Sequence, residues 1–349
     1  MKIRYGSLLL ILAALLITAG YAHSNTIEDS DAFKWFEKGR RAYIEKRWDV
    51  VIFAFDKAIL LNPNYTEAYF YRGLAHDKLG NDKQAMADYN KAITLNPKFV
   101  EAYLVRGAAY SDLGNYNQAI ADNNKAIDLS PKSEEAYLVR GFAYDKLGNY
   151  NQAIIDYNKV IDLNPKYAEA YFNRGNAYAK LGNHNQAMAD YNKAIALNPK
   201  DAEAYVNRGV AHDKLGNNKQ AIADYNKAIE LNPKKSKVYD YRGATYSDLG
   251  NYNQAIADYS KAIDLNPKSA EAYLGRGNVY DKLGNYNQAI IDYNQAIELN
   301  PKYADAYNNR AITYIKHGDN ISGCRDAQKA CKLGNCHLLN NAEVKKLCH

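Results

Sequence analysis

Cysteine is absent from the first 323 residues, and then Cys324, Cys331, Cys336 and Cys348 fall within the last 26. Thiols gathered in this way can do three kinds of chemistry. In an oxidising compartment an even number closes into disulfides, here two, with three possible pairings. The run from Cys331 to His337, C-K-L-G-N-C-H, has the order of a covalent c-type haem attachment site but with four residues between the cysteines instead of two. Sulfur and imidazole together could also hold zinc. One irregular motif weighs less than an even count in a secreted setting, so the expectation is two structural disulfides, no cofactor and no metal.

Other reactive side chains do not converge. His76 and His212 stand where neighbouring segments place tyrosine, and His184 replaces another frequent tyrosine. Serine, aspartate and glutamate recur along the chain instead of meeting at one place, whereas a catalytic centre needs a unique constellation. No enzyme is expected. One pairing does recur: Arg72, Arg106, Arg140, Arg174, Arg208, Arg242, Arg276 and Arg310 are each followed 16 residues later by an aspartate, from Asp88 to Asp326. A partly buried guanidinium needs a carboxylate or carbonyl partner, so these are read as a ladder of ion pairs between helices.

The elements that carry these residues come from the prolines. All eight, Pro63 to Pro301, are 34 residues apart. A fixed period of this length marks one unit copied end to end. With proline as position 32, the unit from Val100 places Ala102, Tyr103, Arg106, Ala109, Tyr110 and Leu113 at helical intervals, and then Ala119, Ile120, Asn123, Ala126 and Ile127 on a second helix. Gly114 suits the left-handed residue that closes the first helix, with Asn115 as a cap for the second. Proline stops the second helix. One such pair cannot cover its own apolar face, so neighbours must stack.

The period, with an aromatic at position 4, Gly at 8, Tyr at 11, Ala at 20, Tyr at 24, Ala at 27 and Pro at 32, resembles the tetratricopeptide repeat family over residues 32 to 337. The resemblance implies an all-α fold: a right-handed superhelical solenoid of about nine helix-turn-helix units with a C-terminal capping helix. The units are 32–65, 66–99, 100–133, 134–167, 168–201, 202–235, 236–269, 270–303 and 304–337, with the cap at 338–349. It also implies that the first helix of each unit lines a groove that seats a peptide or helix of a partner protein.

Helix positions 5, 6 and 9 vary from unit to unit, and positions 2, 5, 9 and 12 form one stripe. Units 2 to 4 present Phe70, Tyr71, Leu74, Leu104, Val105, Leu138, Val139 and Phe142, read as an apolar wall. Later units present Asn173, Asn176, Asn207, Asn278, Asn308 and Asn309, whose amides can read a peptide backbone. Acidic residues at positions 2 and 12 add negative charge, so the expected occupant has apolar anchors and some positive charge.

The first residues are of another kind. Lys2 and Arg4 precede the apolar run Leu8 to Ala19, and Gly20 and Ala22 supply small residues for cleavage, so residues 1–22 read as a signal peptide and 23–31 as a polar leader. A bilayer span takes roughly 20 apolar residues, so membrane contact is expected only if the signal stays uncleaved. Lys and Arg number 45 against 39 Asp and Glu, spread through every unit. That is not the concentrated basic face of a nucleic-acid binder. The sequence thus points to an exported, periplasmic or secreted adaptor for other proteins in a bacterial envelope, with a self-associating structural repeat protein as the alternative.

Overall fold

The computed structural model describes residues 30–348, and helices are the sole regular elements among them. The expected signal peptide and all but the end of the polar leader lie outside these residues. The described chain forms two compact bodies that meet in sequence between Leu181 and Gly182. The first holds α1 (Asp31–Ile44), α2 (Trp48–Leu61), α3 (Thr66–Lys78), α4 (Asp82–Leu95), α5 (Val100–Asp112), α6 (Tyr116–Leu129), α7 (Glu134–Lys146), α8 (Tyr150–Leu163) and α9 (Ala168–Lys180). The second holds α10 (His184–Leu197), α11 (Ala202–Lys214), α12 (Asn218–Leu231), α13 (Ser236–Asp248), α14 (Tyr252–Leu265), α15 (Ala270–Lys282), α16 (Tyr286–Leu299), α17 (Ala304–Lys316), α18 (Asn320–Lys332) and the short α19 (Ala342–Leu347). Within each body, odd-numbered helices pack most heavily on the even-numbered helix that follows, and each such hairpin then packs on the next.

Local chemistry explains where the helices stop. After α5, Gly114 takes φ +78°, a conformation that an L side chain resists. The Asn115 side chain makes no capping bond to α6, so the cap expected there is absent. At the other end of each hairpin the residue before proline acts instead: Asn96 caps α4 through its backbone N–H to Ala92, and its Oδ1 accepts from the Lys98 N–H at 3.0 Å. That side chain-to-backbone turn explains why asparagine precedes proline in nearly every unit.

The two helices of a hairpin cross closely. A Cβ added at Gly73 would lie 2.7 Å from the Tyr89 ring, inside van der Waals contact. Tyr89, Tyr157, Tyr191, Tyr225 and Tyr293, one from each of five hairpins, are among the largest fully buried side chains. Burying a large apolar side chain contributes about 1.5–3 kcal/mol, so these rings are the main apolar payload of each unit.

The cysteines pair as Cys324 with Cys348 and Cys331 with Cys336, and no described cysteine is free. The first bond ties α18 to the residue after α19, and the second closes the turn at the end of α18. No helix among the described residues is long and apolar enough to cross a membrane.

Candidate functional site

The expected arginine–aspartate pairing is present at seven of the eight positions named above. Arg106 donates from Nε to Asp122 Oδ2 at 2.7 Å and from Nη2 to Oδ1 at 2.6 Å, and the same two-pronged bond joins Arg72 to Asp88, Arg140 to Asp156, Arg208 to Asp224, Arg242 to Asp258, Arg276 to Asp292 and Arg310 to Asp326. Each of these guanidinium groups also lies over the tyrosine at position 4 of its own helix. They are structural cations with their charge already answered, not an exposed row for acidic ligands.

The apolar wall is not open. Phe70, Tyr71, Leu74, Leu104, Val105, Leu138, Val139 and Phe142 are each at most 6% exposed. The physical reason is that positions 5, 6 and 9 of the first helix meet the adjoining hairpins as well as the groove. Phe70 packs on Phe99 with ring centroids 4.9 Å apart, and Tyr71 stacks on Phe55 at 5.8 Å. Asn173 and Asn308 are buried in the same way, whereas Asn176, Asn207, Asn278 and Asn309 keep part of their surface.

Two of those asparagines come together. In the second body, α13, α15 and α17 surround a cavity of about 370 Å³ lined by Ala244, Ser247, Asp248, Gly275, Asn278, Asp281, Lys282, Asn309, Ile312 and Lys316, with the rings of Tyr259 and Tyr293 as its floor. Four units earlier on the same scaffold, Val139 and Phe142 fill the places of Gly275 and Asn278. Replacing two apolar side chains by a glycine and an amide creates the space.

Hydrogen bonds orient the amides. Asn278 Oδ1 accepts from the Tyr293 hydroxyl at 3.0 Å and from Asn309 Nδ2 at 2.9 Å, and Asn309 Oδ1 accepts from Asn308 Nδ2 at 3.2 Å. With its oxygen so engaged, Asn278 is left with its two amide hydrogens as its recognition groups. Asp281 is held by Thr313 and by Lys316, both at 2.7 Å, while Lys282 donates to Ser247 Oγ at 3.3 Å. Burial, followed by the charge of Asp281, raises the Tyr293 hydroxyl above its ordinary pKa of 10.0, so it remains a neutral donor to Asn278. The cavity is therefore a hydrogen-bonding cleft with aromatic walls, of a size to hold part of a peptide.

His76, His184 and His212 lie in separate hairpins, and the ring Nδ1 of each is buried without a hydrogen-bond partner. Among the described residues no three His, Cys, Asp or Glu are grouped as a metal site. The signal that sequence reasoning missed is at position 25. The arginines at position 7 donate from Nη1 to Asn90, Asn124, Asn158, Asn192, Asn226 or Asn294 of the preceding hairpin, and Asp56 and Ser260 take that role once each. The recurrence of asparagine there was visible in the sequence.

Comparison with known proteins agrees with this architecture. The crystal structure of MamA protein is 32% identical over 49% of this chain and 94% of its own, with a TM-score of 0.45. A tetratricopeptide repeat protein from Parabacteroides merdae, 22% identical, covers 71% of this chain and 98% of its own with a TM-score of 0.56. The Cut9–Hcn1 hetero-tetramer of the APC/C, 17% identical, covers 91% of this chain and 75% of that one with a TM-score of 0.55. The last two show the fold. No curated protein matches the chain. Family models described as TPR repeat match residues 107–148, 145–182, 175–216 and 243–284, and two described as tetratricopeptide repeat match 66–99, 202–235 and 270–303, and 88–121, 224–257 and 292–324. These matches run without a gap from 66 to 324, and the chain belongs to the tetratricopeptide repeat family.

Proposed function

We propose that this chain is a non-catalytic adaptor whose second body holds an extended segment of a partner protein in the cleft at Asn278 and Asn309. Tetratricopeptide repeats form scaffolds for protein–protein interaction, which supports protein partners in general. The observation that carries the particular site is the oriented amide of Asn278, whose donors face a cavity opened by Gly275. A main-chain carbonyl is the complementary group, since it accepts two hydrogen bonds at a spacing an amide can meet. We place the protein in an exported compartment, in keeping with the signal-like first 22 residues and with cysteines that are all paired.

Capture of proteins from an envelope extract tests the reading. The intact chain is expected to retain partners that an Asn278→Ala, Asn309→Ala variant loses, with both proteins showing the same thermal unfolding. Equal capture by both removes the cleft from the account. Light scattering on the mature chain addresses the self-associating alternative, because a monomer at micromolar concentration leaves the surface for other proteins.

A further inference from the structure

One place on α13 breaks the pattern of its unit. Position 5 of the first helix is Phe70, Leu104, Leu138, Phe172, Val206 and Leu274 in six other units, all buried, and the uncharged Asn308, also buried, in the ninth. In the seventh unit it is Asp240. A carboxylate at a place the scaffold reserves for a core side chain costs solvation unless something answers it. Asp240 has no hydrogen bond or ion pair among the described residues, and the charge of Lys237 answers it only in part. Asp248, two turns further along the same helix on the rim of the cleft, has no hydrogen bond or ion pair either.

Between them in the cleft is a further group without a hydrogen bond. Tyr259 is 5% exposed and its ring forms part of the cavity floor. The equivalent tyrosines Tyr225 and Tyr293 donate their hydroxyls to Asp213 and Asn278; the Tyr259 hydroxyl, like the fully enclosed one of Tyr89, has no hydrogen-bond partner, but it alone of the two lines a cavity. It reaches the cleft through the window at Gly275, where an added Cβ would lie 2.5 Å from Cζ and 2.9 Å from the hydroxyl oxygen. Any other residue at 275 would close this opening. Asp248 lines the cleft beside Tyr259, and burial, then the charges of Asp240, Asp248 and Asp258, hold the Tyr259 hydroxyl above its ordinary pKa.

The positive charges nearby have other contacts, and of them Lys237 offsets part of the charge of Asp240. Lys316 is bonded to Asp281, Lys282 to Ser247, and Lys237 lies over the Tyr241 ring at 5.7 Å. Glu271 adds to the negative field at Asp240. The helical rise puts the backbone of Asp240 and of Asp248 each about 6 Å along the axis from Ala244, which lines the cleft. A cation lodged there is bonded by one carboxylate and lies in the field of the other.

We infer that the cleft takes a basic side chain of the partner segment, arginine or lysine, seated at the Tyr259 hydroxyl between Asp240 and Asp248. This rests on the adaptor reading and adds the charge of the residue that is read. A guanidinium or ammonium supplies the donors that two carboxylates and a hydroxyl oxygen lack, and burial beside the ring strengthens those bonds.

The test uses the full mature chain and two acetylated, amidated pentapeptides, Gly-Gly-Arg-Gly-Gly and its citrulline counterpart, which keeps the shape of arginine and loses the charge. Binding is followed by calorimetry and by the NMR shifts of Tyr259. The arginine peptide is expected to bind about tenfold more tightly than the citrulline peptide, the size of one charge-assisted hydrogen bond. Asp240→Asn and Asp248→Asn should each remove much of that difference, while Asp128→Asn on α6 should change the affinity for neither peptide. Equal affinity for the two peptides, unchanged arginine binding in both cleft variants, or no binding of either peptide overturns the inference. If partner capture depends on Asn278 but not on Asp240 or Asp248, the adaptor reading stands and the basic-residue inference falls alone.

Discussion

Arg106 joins two hairpins: Nε and Nη2 grip Asp122 on α6, and Nη1 reaches back 2.6 Å to Asn90 on α4. Asp122 is 6% exposed, and burial raises its pKa against the opposing pull of Arg106. Arg106→Ala is therefore expected to cost about 3–5 kcal/mol by urea unfolding, because it leaves a buried carboxylate alone. An Arg106→Leu, Asp122→Leu double variant should lose clearly less than the sum of the two single changes.

Asp240 gives a dependence on acidity. Burial, with Glu271 adding to it and Lys237 opposing, raises its pKa from 3.8 to about 6. Between these values the folded chain holds a proton that the unfolded chain has released, so stability falls as pH rises through this window and is level above it. Asp240→Asn should flatten that slope and, at pH 7, raise stability by about 1–3 kcal/mol. Unfolding curves recorded at pH 4, 5, 6 and 7 check this; a parallel loss in both proteins would contradict it.

Lys46 is the only described residue other than glycine with positive φ, at 58°, and it occupies the turn position that Gly80, Gly114 and Gly148 hold in later units. A left-handed conformation costs an L residue about 1–2 kcal/mol. Lys46→Gly is expected to stabilise the first hairpin by up to about 1 kcal/mol, after the added freedom of glycine in the unfolded chain is counted. A rise in the melting temperature of the first body would show it.

Gly277 marks a crossing with no slack. A Cβ there would meet the Tyr293 ring at 2.8 and 2.9 Å and the Ala289 carbonyl at 3.3 Å. Gly277→Ala should destabilise by about 1–3 kcal/mol through overpacking. Because Tyr293 also holds Asn278, the same change should weaken partner capture.

The Cys324 to Cys348 bond spans 24 residues of sequence. Its removal by Cys324→Ser, Cys348→Ser is expected to lower the opening free energy of α18 and α19 by about 2–4 kcal/mol. Hydrogen exchange should show the loss confined to residues after about Asn320, with the earlier hairpins unchanged.

Much of this fold was legible because each unit repeats its constraints. Pro97 and Pro131 bound one unit, Gly107 marks the crossing, and Arg106 with Asp122 announces the ion pair. The misreading lay at Leu104, Val139 and Phe142, which alternate freely along the sequence yet are buried against adjoining hairpins. Variation between units signals a free surface only where no neighbour covers it, and neighbour packing is long-range information. The cleft was half legible: Asn278 and Asn309 were chosen for their amides, but Gly275 and Asp240 matter through what they lack or replace, which becomes visible once Tyr259 stands behind them.

Every guanidinium in this array leans toward the hairpin before it and none toward the one after. Among the described residues no arginine of a following hairpin reaches α17 and α18, and Gln328 stands where Asn294 receives Arg310 one unit earlier. At that edge the two sulfur bridges instead tie α18 to the segment that follows it. The durability of this end is thereby tied to its surroundings: a reducing milieu would unlatch the final turn and leave the earlier units in place, whereas an oxidising one keeps the end shut.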